Sequence, residues 1–141
     1  MKKILRPALA AIALTLSACG MLPTADEPVL PVSSNNAVIA LVDSARSENT
    51  SGRLDMSAAT LERALRIEPR NPGLWHELAK TRLQQGNATQ AISLAAKSNA
   101  WSGDNKTLRA ANWRLIGEAR TQLGDSSGAQ TAFDTAAQLQ R

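Results

Sequence analysis

The chain has 141 residues, enough for one modest domain, with one His, one Cys, one Phe, three Trp and no Tyr. Its formal charge of +4 would suit a nucleic-acid partner, but three of its 16 basic residues, Lys2, Lys3 and Arg6, fall in an expected leader, leaving 13 against 12 acidic residues. A near-neutral mature chain without a basic, aromatic-interleaved face argues against nucleic acid, and a lone cysteine with a lone histidine argues against a disulfide or a metal cluster. Ala, Leu, Gln and Arg dominate over β-branched and aromatic residues, which favours helix.

Met1 to Arg6 is a short basic segment, and Ala8 to Leu16 is an apolar run too short to span a bilayer. Leu16-Ser17-Ala18-Cys19 follows. This order resembles the lipobox of bacterial lipoproteins, which implies cleavage after residue 18 and acylation of Cys19 on its sulfur and its new amine. Three acyl chains exceed the two signals that stable membrane anchoring needs. Gly20, rather than Asp, follows the cysteine; in the lipoprotein sorting of enteric-type bacteria this implies the periplasmic face of the outer membrane. Residues 19–36, with Pro23, Pro28 and Pro31 and no helical or strand period, read as a flexible tether. The seventeen residues after Cys19 stretch to at most about 60 Å, so the folded part stays fairly near the membrane. Val29-Leu30-Pro31-Val32 is either passive spacer or a docking segment.

From residue 37 the chain alternates helices and turns. Val38, Leu41, Val42 and Ala45 form an apolar helical stripe, Asn49 to Gly52 a turn, and Leu54 to Ile67 a second helix stopped by Pro69. Asn71-Pro72 starts a third helix as cap and first-turn proline, with Leu74, Trp75, Leu78, Ala79 and Leu83 on one stripe. Gly86 ends it, and Asn87 with Gln90 has capping-box spacing for a fourth, carrying Ala91, Ile92, Leu94 and Ala95. Gly52, Gly86 and Gly124 mark successive turns 34 and 38 residues apart. Ala45, Ala79 and Gly117 sit seven residues before them; Ser57, Ala91 and Ala129 sit five after; Leu61, Ala95 and Phe133 sit nine after.

This period and pattern resemble the tetratricopeptide repeat. The resemblance implies an all-α chain, a short right-handed solenoid of three helical hairpins over 37–141, with repeats near 38–71, 72–105 and 110–141. The small residue before each turn would let paired helices approach closely, and Trp75 and Trp113 would be buried between hairpins. The tyrosine usual four residues before the turn glycine is replaced by Glu48, Arg82 and Arg120. Four extra residues between Ala100 and Ala110 amount to about one helical turn and would lengthen the first helix of repeat three, starting near Asn105 with Asp104 as cap. The last helix would solvate its outer face with Gln130, Asp134 and Gln138.

Catalysis has little support: His76 is the only histidine, Glu77 beside it points to another side of the helix, and no G-x-S-x-G elbow occurs. No cofactor is expected. First helices of such repeats line a groove, which assigns Val42, Arg46 and Asn49, then His76, Lys80 and Leu83, then Arg114, Glu118 and Thr121 to that face. Arg46, Lys80 and Arg114 would make a mildly basic stripe for an acidic or carboxylate-ended segment, or they are ordinary solvated residues. The two-carboxylate clamp of chaperone-binding members is not matched, since Val42, Glu77, Ala111 and Leu115 stand where Lys or Asn would be needed. Trp101, placed in the four-residue insertion, either packs under a loop or is an exposed anchor; Asn99, Asn105 and Asn112 around it would cap helices or contact a partner.

The lipobox together with Leu61–Ala79 (LERALRIEPRNPGLWHELA), Ala95–Ala100 (AAKSNA) and Asn112–Arg120 (NWRLIGEAR) resembles the small outer-membrane lipoproteins of the Pseudomonas and Acinetobacter type, some of which activate a class A penicillin-binding protein. The resemblance implies a non-enzymatic, lipid-anchored protein-interaction module that regulates peptidoglycan synthesis by contact. The other readings are an assembly factor for an envelope machine such as a pilus or secretion system, and a general binder of unfolded outer-membrane proteins.

Overall fold

The structure, a computed structural model, describes residues 32–141. Six helices follow one another: α1 (Asn36–Thr50), α2 (Leu54–Ile67), α3 (Pro72–Gln84), α4 (Ala88–Trp101), α5 (Lys106–Gln122) and α6 (Ser126–Leu139). No strand occurs among the described residues. Each odd helix packs most closely on the even helix after it, and α2 on α3 and α4 on α5 join the hairpins into a short solenoid. The leader, Cys19 and residues 20–31 lie outside the described residues.

The three hairpin turns share one geometry. Gly52, Gly86 and Gly124 have φ of 74°, 79° and 78°. At each, the glycine N–H bonds the carbonyl three residues back (Asn49, Leu83, Thr121), and the next N–H bonds the carbonyl five back (Glu48, Arg82, Arg120). This pair of bonds is the Schellman closure, which needs a left-handed residue and so selects glycine. A Cβ on Gly86 would meet nothing within 4 Å, so only backbone strain opposes a side chain there. Gly86→Ala should therefore cost about 1 kcal/mol in urea unfolding without changing helicity.

The helix starts are less uniform. Asn71 accepts from the Leu74 N–H, as its sequence position predicts. Asn87 makes no side-chain capping bond, so the expected Asn87–Gln90 box does not form; its ψ of 60° is turned well away from the extended ψ of 111° at Asn71. Asp125 does cap, accepting from the Gly128 N–H at 2.9 Å, in a pose where a Cβ on residue 128 would collide with the carboxylate. In repeat three the cap is Asn105, not Asp104, and α5 begins at Lys106. The four extra residues become an additional first turn of α5, which has 17 residues against 13 in α3.

Trp101 therefore stands in the repeat register rather than in an insertion. It is the last residue of α4, as Ile67 is of α2 and Leu139 of α6. The other two tryptophans are half-buried rather than fully enclosed. Trp75 leans on a first core cluster that includes Val38, Leu61, Leu74 and Leu78, and Trp113 on a second that includes Ala79, Ala91, Leu115 and Ile116. The Trp75 indole N–H donates to the Pro69 carbonyl at 2.9 Å, so the ring closes the α2–α3 corner with its polar edge satisfied.

Close approach of paired helices rests on the small residues before each turn. Ala45 and Ala79 are buried, and a Cβ on Gly117 would lie 2.5 Å from the Phe133 ring. The residues replacing the usual tyrosine act as sutures in two repeats. Arg82 bonds Gln85 and Glu62, at 2.9 and 2.8 Å, and Arg120 donates to the Gly128 carbonyl at 2.9 Å. Residues 32–35, expected in the tether, are held on the domain: the Val32 carbonyl accepts from Asn71 Nδ2 at 2.6 Å and Ser33 donates to Glu68 at 2.7 Å. Val32 itself packs against the first core cluster.

Candidate protein-interaction site

The expected groove face runs along α1, α3 and α5, and much of it turns inward. Val42, Leu83 and His76 are buried. Each lies on the side of its helix covered by the structure packed beside it, so these three do not line an open groove. Arg114 is half-buried and Thr121 and Glu118 are exposed; the α5–α6 hairpin is the last among the described residues. The basic stripe therefore stands beside buried neighbours rather than along an open groove, and two of its three cations, Arg46 and Lys80, share the Glu77 carboxylate.

Arg46 of α1 reaches across to Glu77 of α3, with its Nη2 2.5 Å and its Nε 3.1 Å from the same carboxylate oxygen. Lys80 approaches the other oxygen of Glu77 at 4.0 Å. One rung along, Asn49 donates to Thr81 at 3.2 Å, and Thr81 lies 3.4 Å from the Ser57 hydroxyl. These contacts frame a recess of about 290 Å³ lined by Arg46, Asn49, Glu77, Lys80 and Thr81 among others. Arg46, Asn49 and Lys80 are therefore brought together as expected, but around a shared carboxylate rather than as bare cations. Glu77 was legible only as pointing away from His76, which it does. Its pairing with a residue 31 positions earlier depends on the lateral spacing of α1 and α3.

The pair is half-open, with Arg46 at 37% and Glu77 at 13% side-chain exposure. Solvent screening keeps such a pair weak. Arg46→Ala should lower stability by no more than about 1 kcal/mol, measured by thermal unfolding.

His76 takes part in a buried polar network instead of a ligand site. Its Nδ1 lies 2.7 Å from Asn112 Oδ1. Asn112 is 0% exposed, and its Nδ2 donates to Ser98 Oγ at 2.8 Å and to Asn99 Oδ1 at 2.9 Å. Ser98 in turn donates to the Pro72 carbonyl at 2.8 Å. With both Nδ2 hydrogens spent, Asn112 Oδ1 must accept, which places a proton on His76 Nδ1. The network ties α3, α4 and α5 together, so Asn112 and Asn99 are structural rather than partner-facing, and Asn105 is spent on its cap. Trp101 is 44% exposed, so it does not pack under a loop.

The geometry is that of a repeat scaffold with one internally paired face, and the comparisons agree. The sequence model of the tetratricopeptide repeat matches residues 50–111. The solved globular C-terminal domain of P. aeruginosa LpoP is 39% identical, with a TM-score of 0.73, covering 74% of this chain and 99% of that one. The first tetratricopeptide domain of Spaghetti (RPAP3), solved with the HSP90 peptide SRMEEVD, superposes with a TM-score of 0.66 at 15% identity, covering 78% of this chain and 84% of that one. The second likeness carries the fold alone. No curated protein sequence matches the chain significantly. The chain belongs to the LpoP family, with a domain built on the tetratricopeptide repeat.

Proposed function

We propose that this protein is a lipid-anchored regulator on the periplasmic face of the outer membrane that activates a class A penicillin-binding protein by direct contact. The observation that carries the reading is the 39% identity to the LpoP domain over nearly all of that domain. The resemblance of this chain to lipoprotein activators of peptidoglycan synthesis supplies the partner class. The Leu16–Cys19 lipobox and Gly20 supply the anchor and its destination. Signal peptide (1–18), anchor and tether (from Cys19) and repeat domain then form one device: a binding surface held within tether reach of the membrane.

A tethered activator of this kind works by binding the active form of the synthase more tightly than the inactive form. Tenfold stimulation of a mostly inactive synthase needs only about 1.4 kcal/mol of that preference, well within what a few contacts on a rigid repeat surface provide. Crosslinking in native outer membranes tests the partner: a class A synthase should be captured, and its absence from the crosslinked material would count against the reading. Cys19→Ser tests the anchor. The variant is expected to leave the outer-membrane fraction, and retention there at the wild-type level would refute attachment through Cys19.

A further inference from the structure

The second face of the solenoid carries a groove that the expected site did not include. It lies between α2 and α4, encloses about 710 Å³, and has Leu65, Trp75, Leu78 and Leu94 along its floor. Arg66, Arg70, Lys97 and Trp101 stand at its edges. The Lys97 ammonium sits 3.8 Å from the centroid of the Trp75 ring, and the Arg70 guanidinium 5.3 Å from that of Trp101. Neither cation, nor Arg66, makes an ion pair among the described residues. The one acidic residue lining the groove, Glu62, is engaged by Arg82 at 2.8 Å.

We propose that this groove binds a short acidic segment of the partner protein, with carboxylates on Arg70 and Lys97 and an apolar side chain between Trp75 and Trp101. The charge dictates the sign of the occupant: three cations, with the only lining carboxylate already committed. Half-buried Trp75 and exposed Trp101 supply the apolar part, because indoles are efficient anchors that lose little conformational freedom on binding. Cations resting on ring faces are already positioned, so a carboxylate completes each arrangement without reorganising it. The recessed shape favours a protein segment over a phospholipid surface, which would meet protruding side chains rather than a floor.

The assignment rests on the reading that the chain works by binding a class A synthase, and the test separates the two. Binding of the purified synthase of the same organism to the full-length lipoprotein in detergent is measured for wild type, Arg70→Glu/Lys97→Glu and Trp101→Ala. Wild type should bind, more weakly as salt rises. The charge reversal should weaken Kd at least tenfold and Trp101→Ala severalfold, with helicity unchanged, since all three side chains are exposed. Wild-type binding with both variants within twofold of it would overturn the groove and leave the functional reading intact. No wild-type binding would overturn both. Variants that lose binding to phosphatidylglycerol vesicles yet keep the synthase would make the groove a membrane contact and overturn the proposal.

Discussion

Asn112→Ala should lower the stability of the domain by about 3 kcal/mol, a fall in Tm on the order of 10–20 °C. The side chain is wholly enclosed and makes three hydrogen bonds, to His76, Ser98 and Asn99. Its removal deletes those bonds and leaves the buried His76 Nδ1–H without that acceptor. An unsatisfied buried polar group costs more than the net value of the bond it lost. Because the three partners come from α3 and α4 while Asn112 belongs to α5, the damage falls on the junction between the second and third hairpins. Urea unfolding should show it as a lower midpoint, and a loss below 1 kcal/mol would mean that the network contributes little.

Gly117→Ala is expected to cost about 2 kcal/mol, against the usual sign for this exchange inside a helix. Propensity alone would favour alanine by about 1 kcal/mol. Here the new Cβ would lie 2.5, 2.7 and 2.8 Å from three atoms of the Phe133 ring, and forcing a ring out of a packed site costs about 1–3 kcal/mol or more. The equivalent positions carry Ala45 with Leu61 in repeat one and Ala79 with Ala95 in repeat two. The third repeat has exchanged a methyl on one helix for a larger ring on the other. Gly117→Ala combined with Phe133→Leu rebuilds the repeat-one pair, and should be more stable than the sum of the single changes predicts. Strict additivity in thermal unfolding would contradict the proposed contact.

These two positions show which features a sequence can disclose. Gly117 and Phe133 are visible from their distances to Gly124, because the repeat fixes which residues of paired helices face each other. The turn glycines are visible for a similar reason: a left-handed closure tolerates little else. The burial of His76 and the pairing of Arg46 with Glu77 are set by how far apart neighbouring first helices sit, which no spacing within one helix encodes. The repeat pattern assigns Val42, His76 and Leu83 to the groove face, but how deeply neighbouring first helices cover that face is not encoded in it. Trp101 falls outside the repeat pattern in the sequence because the 38-residue interval does not show where its four extra residues enter. The extra turn opens at Lys106, as the expected longer first helix of repeat three requires, and leaves Trp101 at the end of α4. The α2–α4 groove is not legible in the sequence. Its cations and indoles come from three helices and a connecting loop, and they meet only when the hairpins stack.

Under the proposed function, this repeat domain acts on a peptidoglycan synthase by contact. That action is tested most directly by the glycan polymerisation rate of the purified class A synthase, measured with and without saturating lipoprotein. A severalfold rise in the initial rate, reduced by Arg70→Glu/Lys97→Glu, is the predicted result; a rate unchanged at saturation would contradict it.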